Sequence, residues 1–283
     1  MTLQHQKIGF LGGGNMGEAI AGALIHSKIF DRENILVTDA VDDRLQYMAA
    51  TYGVMTGRDN VRLFAECDIV VLAVKPQQMG DVLETVTRSS GYGTWGRTLV
   101  ISIAAGFPLR KIEGLLSRPL DEAGARALPI IRVMPNTPAL VLAGMSGMSP
   151  NRHVGEAEIA AAKKILGAMG RVIVFPEEQL DAVTALSGSG PAYVFYLIEA
   201  MAQAGIAAGL DPSDASALTL GTLDGAVRLI QASKESPESL RKKVTSPGGT
   251  TEAAVNVLDT NNVRRHIVDA ILAAARRAEE LSR

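Results

Sequence analysis

The sequence is poor in the residues that build disulfides, metal centres and clusters. Its 283 residues include one cysteine, Cys67, and four histidines, His5, His26, His153 and His266. One thiol excludes an intramolecular disulfide framework and any multi-cysteine zinc or iron–sulfur site. The histidines are scattered without ligand spacing, so no metal is expected. A surplus of one charge is also missing. The net charge is −2, which gives no reason to expect nucleic acid or an anionic membrane as a partner. No run reaches about 18 uninterrupted apolar residues, so no membrane span is expected. Residues 1–7 lack the basic and apolar regions of a signal peptide, which makes the cytoplasm the expected location.

What is present is core-forming sequence. The hydrophobic fraction is 47% against 20% charged, enough for a sizeable core and too apolar for a disordered chain or a coiled-coil rod. The length suits one large domain or two ordinary ones. In the first half, short apolar runs alternate with amphipathic stretches. Residues 7–11, 35–38, 68–74, 98–103, 130–134 and 171–175 read as strands, and residues 16–28 and 43–52 as helices. The runs at 68–74, 98–103 and 130–134 are too short for most helices, so they read as central parallel strands. This alternation predicts an α/β fold, a Rossmann-type doubly wound parallel sheet with right-handed crossovers.

After Pro176 no strand pattern remains. Residues 192–208, 212–232, 238–244, 251–258 and 263–282 read as helices, several of them alanine-rich and apolar around much of their circumference. Such helices need cover, and their excess predicts that another subunit supplies part of it. The expected division is a dinucleotide-binding domain over 1–177 and an all-helical domain over 178–283.

Two kinds of segment carry chemistry. The first is Gly12-Gly13-Gly14-Asn15-Met16-Gly17, a Gly-x-Gly-x-x-Gly turn directly after a strand and directly before a helix. Gly12 permits the tight turn, Gly14 lets the backbone approach a pyrophosphate, and Gly17 lets the helix pack close to the strand. The helix N-terminus offers free N–H groups and partial positive charge to phosphates. Asp39 ends the second strand. An acid there accepts hydrogen bonds from the adenosine ribose and repels a 2′-phosphate, whereas Arg44 and Arg58 nearby oppose that repulsion. Asp39 also suits a helix N-cap, and the choice between NADH and NADPH stays open. Lys75-Pro76 follows another strand at its carboxyl end, where open α/β sheets bind ligands. Cys67 reads as a packed, inert thiol.

The second kind lies in the helical half. Val244-Thr245-Ser246-Pro247-Gly248-Gly249-Thr250-Thr251-Glu252 combines glycines, hydroxyls and a helix start. That combination suits a carboxylate, held by backbone N–H groups and hydroxyls; it equally suits a plain helix start with Thr250 as N-cap. Ser187-Gly188-Ser189-Gly190-Pro191 stands before an apolar helix, where Gly-Pro is ordinary helix-start chemistry.

These segments, with Ala73-Val74-Lys75-Pro76, Ile103-Ala104-Ala105-Gly106 and Met134-Pro135-Asn136-Thr137-Pro138, occur in an order that resembles the pyrroline-5-carboxylate reductases over nearly the whole chain. The segment from Ser246 to Thr251 is the most specific part of that likeness. The resemblance implies an oxidoreductase acting on a C=N bond. Its reaction is reduction of 1-pyrroline-5-carboxylate to L-proline by NADPH or NADH, the last step of proline biosynthesis. It also implies a homodimer built from interleaved C-terminal helices and gathered into a decamer, so the helical domain becomes a substrate-binding and dimerisation domain. Carried over by position, Leu11, Gly12, Gly13, Gly14, Asn15 and Met16 hold the pyrophosphate and Asn60 faces the adenosine end. Ala73, Val74, Lys75, Pro76, Ala104 and Ala105 line the nicotinamide side. Ser246, Gly249, Thr250 and Thr251 hold the substrate, with the Thr251 hydroxyl reaching the ring nitrogen. Lys234 and Glu235 depart from the acidic pattern of the family's loop before Pro237.

The chemistry agrees with an imine. Hydride delivery to a carbonyl needs an acid to protonate the forming alkoxide. No histidine stands near either glycine-rich segment, and no lysine occurs between Pro191 and Lys234. A cyclic iminium needs positioning and one hydrogen-bond partner for its nitrogen. Two other readings compete. A β-hydroxyacid dehydrogenase shares the two-domain plan but places a lysine on the helix after its glycine-rich interdomain segment. A non-enzymatic, NAD(P)-sensing oligomer would need no second anion site.

Overall fold

A computed structural model describes residues 3–90, 92–93 and 96–283. The chain forms two compact units. One comprises Met1–Ser189 together with Ala275–Arg283, and the other is Gly190–Ala274. By compactness the division falls at Ser189, and the carboxyl-terminal stretch belongs to the first unit.

The first unit is built on one eight-stranded sheet. Its strands are β1 (Ile8–Leu11), β2 (Ile35–Thr38), β3 (Met55–Gly57), β4 (Ile69–Leu72), β5 (Leu99–Ser102), β6 (Ile130–Met134), β7 (Gly144–Pro150) and β8 (Gly170–Val174). They lie in the order β3-β2-β1-β4-β5-β6-β7-β8. Every pairing is parallel except β6 with β7, which is antiparallel. The sheet is therefore parallel-dominated, and β3 and β7 were not expected from the sequence. Burial explains the apolar runs: β1, β2, β4 and β5 are buried at every residue, as strands covered on both faces must be.

Successive side chains alternate between two cores. Ile8, Phe10, Val37, Val71 and Ile101 join one core, with Ile20 and Leu24 of α1 (Asn15–His26), Met48 of α2 (Asp42–Tyr52) and Ile165 of α7 (Glu156–Gly167). Leu11, Leu36, Val70, Leu72 and Val100 join the other, with helices α3 (Asn60–Glu66), α4 (Pro76–Thr87) and α5 (Leu109–Leu116) supplying Leu63, Leu83 and Ile112. The short α6 (Glu122–Arg126) precedes β6, and α8 (Leu180–Val183) follows β8. Cys67 is buried, and burial pushes its thiol pKa up to about 12, so it is an inert packing group.

Arg132 on β6 is buried, with its guanidinium 3.3 Å from Glu177 and 3.4 Å from Asp181. The Ser282 hydroxyl donates to the same Asp181 at 2.9 Å, and Arg110 donates to the Ser282 carbonyl at 2.6 Å. Leu281 lies against Gly106, which has φ +68°. These contacts hold the carboxyl-terminal stretch to the first unit.

The second unit contains α9 (Gly190–Ala207), α10 (Pro212–Ser233), α11 (Pro237–Lys243), α12 (Thr250–Thr260) and α13 (Val263–Ser282) up to Ala274. α9 and α10 approach closely at Gly205, where an added Cβ would stand 3.0 Å from the Cβ of Ala215. Elsewhere large apolar side chains are exposed in the single chain, among them Phe195, Tyr196, Leu218, Val257 and Ile267. Among the described residues no helix is long and apolar enough to cross a membrane. No group of three or more His, Cys, Asp or Glu side chains is placed to hold a metal ion among them.

Candidate active site

The strand order reverses between β1 and β4, and the glycine turn sits at their carboxyl ends. Gly12 has φ +105°, a conformation that suits glycine, and an added Cβ would stand 2.9 Å from the backbone of Ala73 and Val74. A Cβ on Gly17 would stand 2.5 Å from the Gly12 carbonyl, so this glycine lets α1 approach the turn. A Cβ on Gly14 would meet nothing within 4 Å. Gly14 is the N-cap of α1 without a side-chain cap, and the first intrahelical bond runs from the Glu18 N–H to the Gly14 carbonyl. The N–H groups of Asn15, Met16 and Gly17 thus have no intrahelical acceptor. Open space in front of Gly14 and an uncapped helix start fit a dinucleotide pyrophosphate.

Gly13 is differently placed. Its N–H donates to Asp39 Oδ2 at 2.8 Å, and its carbonyl accepts from Arg44 Nε. The other Asp39 oxygen accepts from the Val41 N–H at 3.0 Å. Val41, rather than Asp39, is the N-cap of α2. Asp39 is therefore tied to the glycine turn, and each oxygen keeps lone-pair capacity for a ribose hydroxyl. Arg44 pairs with Glu18, whose other oxygen accepts from Tyr47 at 2.9 Å and Tyr52 at 2.8 Å. Burial acts to raise the Glu18 carboxyl, but hydrogen bonds from Arg44, Tyr52 and Tyr47 outweigh it and hold the pKa below the ordinary value. Burial, then the bond to Glu18, push Tyr52 up to about 12.

The remaining first-unit candidates lie on nearby strand ends. Asn60 is the first residue of α3, after the N-cap Asp59. Ala73 and Val74 follow β4, with the Ala73 N–H donating to the Leu11 carbonyl at 2.8 Å. Lys75 is the exposed N-cap of α4, and Pro76 its first residue. Ala104 is buried and Ala105 exposed after β5. Beyond β6, Asn136 Oδ1 accepts from the Met145 N–H at 2.8 Å, and its Nδ2 donates to the backbone and hydroxyl oxygens of Ser187 at 3.3 Å each. The Ser187 segment is not a loop: Thr184–Gly188 winds as a π-turn leading toward α9. A Cβ on Gly188 would stand 2.4 Å from Cε of Met134, the flexible end of a side chain that can turn aside, so this contact alone does not require glycine.

In the second unit the segment before α12 folds on itself. The Gly249 N–H donates to the Ser246 carbonyl at 3.0 Å, and the Gly248 N–H, at φ +72°, to Glu252 at 2.8 Å. The N-cap is Gly249 rather than Thr250, and it carries no side-chain cap. Thr250 is the first helical residue, and its hydroxyl is free of the capping role the sequence allowed. The N–H groups of Thr250, Thr251 and Glu252 precede the first intrahelical bond, from Ala253 to Gly249. Ser246 and Thr250 are exposed and Thr251 half-buried. Glu235, which departs from the expected pattern, accepts from Lys243 and from Ser239, and Lys234 ends α10 with φ +57°.

Comparison with known proteins covers both halves. The family model for pyrroline-5-carboxylate reductase dimerisation matches residues 177–281, and that for NADP oxidoreductase, coenzyme F420-dependent, matches residues 7–106. A pyrroline-5-carboxylate reductase of Synechocystis is 42% identical over 98% of this chain and 98% of its own. The chain belongs to the pyrroline-5-carboxylate reductase family. A solved structure of that reductase from Coxiella burnetii has 39% identity and a TM-score of 0.85 over 98% of this chain and 99% of that one. The Plasmodium falciparum enzyme, solved with NADP bound, has 29% identity and a TM-score of 0.86 over 99% and 100%.

Sequence reasoning missed Glu18, Tyr47 and Tyr52. The signal was absent because Glu18 lies 26 to 34 positions from Arg44, Tyr47 and Tyr52. Their meeting depends on α1 and α2 lying side by side. Asn136 was read only as part of a motif, not as the link between β7 and Ser187.

Proposed function

We propose that this chain reduces 1-pyrroline-5-carboxylate to L-proline with NADPH or NADH, the last step of proline biosynthesis. The observation that carries this reading is likeness to the family across the full chain, together with two uncapped helix starts of different character. One, at Gly14, opens onto space for a pyrophosphate; the other, at Gly249, is surrounded by hydroxyls. The bound nicotinamide supplies the hydride. Residues 11–17, Asp39, Asn60, Ala73, Val74, Lys75, Pro76, Ala104 and Ala105 hold and orient that cofactor.

The substrate carboxylate is bound by the N–H groups opening α12 and the hydroxyls of Ser246 and Thr250, with Gly249 giving the backbone room to approach. The Thr251 hydroxyl oxygen accepts a hydrogen bond from the protonated ring nitrogen. Hydride addition at the imine carbon moves the C=N π pair onto nitrogen and leaves a neutral secondary amine, so positive charge disappears and no strong protein acid is needed. Positioning of this kind supplies several kcal/mol of barrier reduction. α9 carries no lysine, which disfavours the β-hydroxyacid dehydrogenase reading.

The exposed apolar faces of the second unit pair with a second copy, and such homodimers gather into a decamer in the cytoplasm. The test follows the near-ultraviolet absorbance of reduced nicotinamide with the imine and each cofactor in turn, with proline quantified as product. Stoichiometric cofactor oxidation and proline formation are expected. A protein that binds NAD(P)H yet leaves the imine unchanged would refute the reading.

A further inference from the structure

We infer that Glu18 is a specificity-determining residue of the cofactor site: by holding Arg44 it withholds the guanidinium that a 2′-phosphate would need, and the chain prefers NADH to NADPH. This deepens the proposed reaction and rests on it. A 2′-phosphate brings a charge of roughly −1.5 to −2 to the end of β2. Between Asp39 and Arg58 the only cations are Arg44 and Arg58, and the same stretch carries Asp39, Asp42 and Asp43.

Arg44 is engaged on three sides. It donates to the Gly13 carbonyl and to Glu18, and its Cζ lies 4.8 Å from the ring centroid of Tyr47. Glu18 is itself fixed by the hydroxyls of Tyr47 and Tyr52, whose rings meet edge to face at 6.4 Å. The pair is mostly shielded, with side-chain exposures of 24% for Arg44 and 19% for Glu18. Turning Arg44 toward a ribose phosphate would break these contacts and leave a shielded carboxylate unpaired. Arg58 pairs with Asp42 in a setting more than half exposed on both sides, where ion pairs contribute little. Asp39, fixed by Gly13 and Val41, places its carboxylate against the same phosphate. An NADH ribose needs only acceptors for its hydroxyls, and Asp39 provides them.

Calorimetric titration of the full-length protein with NADH and with NADPH tests this without turnover. The wild type is expected to bind NADH more tightly by about tenfold or more, the scale of one charge-assisted interaction. Glu18→Gln should strengthen NADPH relative to NADH by about tenfold, and Asp39→Ser should move the ratio the same way. If Glu18→Gln does not fold, the double variant Tyr47→Phe/Tyr52→Phe loosens Glu18 and should shift the ratio in the same direction by a smaller factor. Equal or tighter NADPH binding by the wild type, or an unmoved ratio in the folded variants, overturns the inference but leaves the reductase reading standing. A wild type that binds neither cofactor overturns both.

Discussion

Replacing Gly17 and Gly14 separately should divide the work of the glycine turn into two parts. A Cβ at Gly17 would stand 2.5 Å from the Gly12 carbonyl oxygen and 3.4 Å from the Cβ of Ala73. Neither neighbour is a flexible side-chain end. The Gly12 N–H is itself bound to the Thr38 carbonyl at 2.8 Å, which fixes the turn. Helix α1 must therefore retreat by roughly 0.5–1 Å to restore ordinary contact. Such overpacking costs about 1–3 kcal/mol, and the better helix propensity of alanine returns about 1 kcal/mol. The net expectation for Gly17→Ala is a loss of about 0–2 kcal/mol in urea unfolding. The shifted helix start should weaken cofactor binding by about tenfold to a hundredfold.

Gly14→Ala differs because its Cβ enters open space and its φ of −63° is ordinary. Stability should stay within about 0.5 kcal/mol of wild type, while the methyl group occupies the approach to the phosphates and lowers affinity. Paired unfolding curves and cofactor titrations measure both quantities. Wild-type cofactor affinity in Gly17→Ala, or in Gly14→Ala, would refute the placement of the pyrophosphate at this helix start.

Three further expectations are independent of that pair. Thr251→Ala should lower kcat by about one to three orders of magnitude in steady-state kinetics, and unchanged kcat and KM would remove Thr251 from the reaction. Arg132→Met should destabilise the fold by about 3 kcal/mol, because it leaves Glu177 and Asp181 without their cation; a loss under about 1 kcal/mol would show that both carboxylates hydrate freely. Tyr52 has a folded-state pKa raised from 10.0 to about 12. Its contribution is therefore complete below pH 10.0 and is lost as pH rises through about 12. Unfolding free energies of wild type and Tyr52→Phe should converge over that alkaline window, and parallel curves would refute it.

The sequence disclosed the strands that are buried on both faces, because β1, β2, β4 and β5 are short, almost wholly apolar runs with one obligatory setting. It concealed β7. Gly-Met-Ser-Gly-Met-Ser-Pro has no β-branched residue, and its place is imposed by neighbours: Gly144 abuts Ala139 and the Met169 carbonyl, and Gly147 abuts Val183. The antiparallel β6–β7 pairing was hidden for the same reason. At the candidate site, local chemistry was legible and partners were not. The glycine turn declares itself by spacing, whereas the bond from Gly13 to Asp39 spans 26 residues, and the cap role that the sequence also allowed Asp39 falls to Val41. Thr250 looked like an N-cap because hydroxyls usually serve there; Gly249 takes the position, and Glu252 satisfies the Gly248 N–H instead.

The return of Ala275–Arg283 to the first unit has a consequence for how the protein comes into being. Although the nucleotide-binding half is translated first, it emerges from the ribosome without the Ser282 partner of Asp181 and without Leu281 against Gly106. Those bonds become available only after all of Gly190–Ala274 has been made. Completion of the first unit is thereby linked to synthesis of the helical half, and a transcript cut short within that half yields an unfinished first unit.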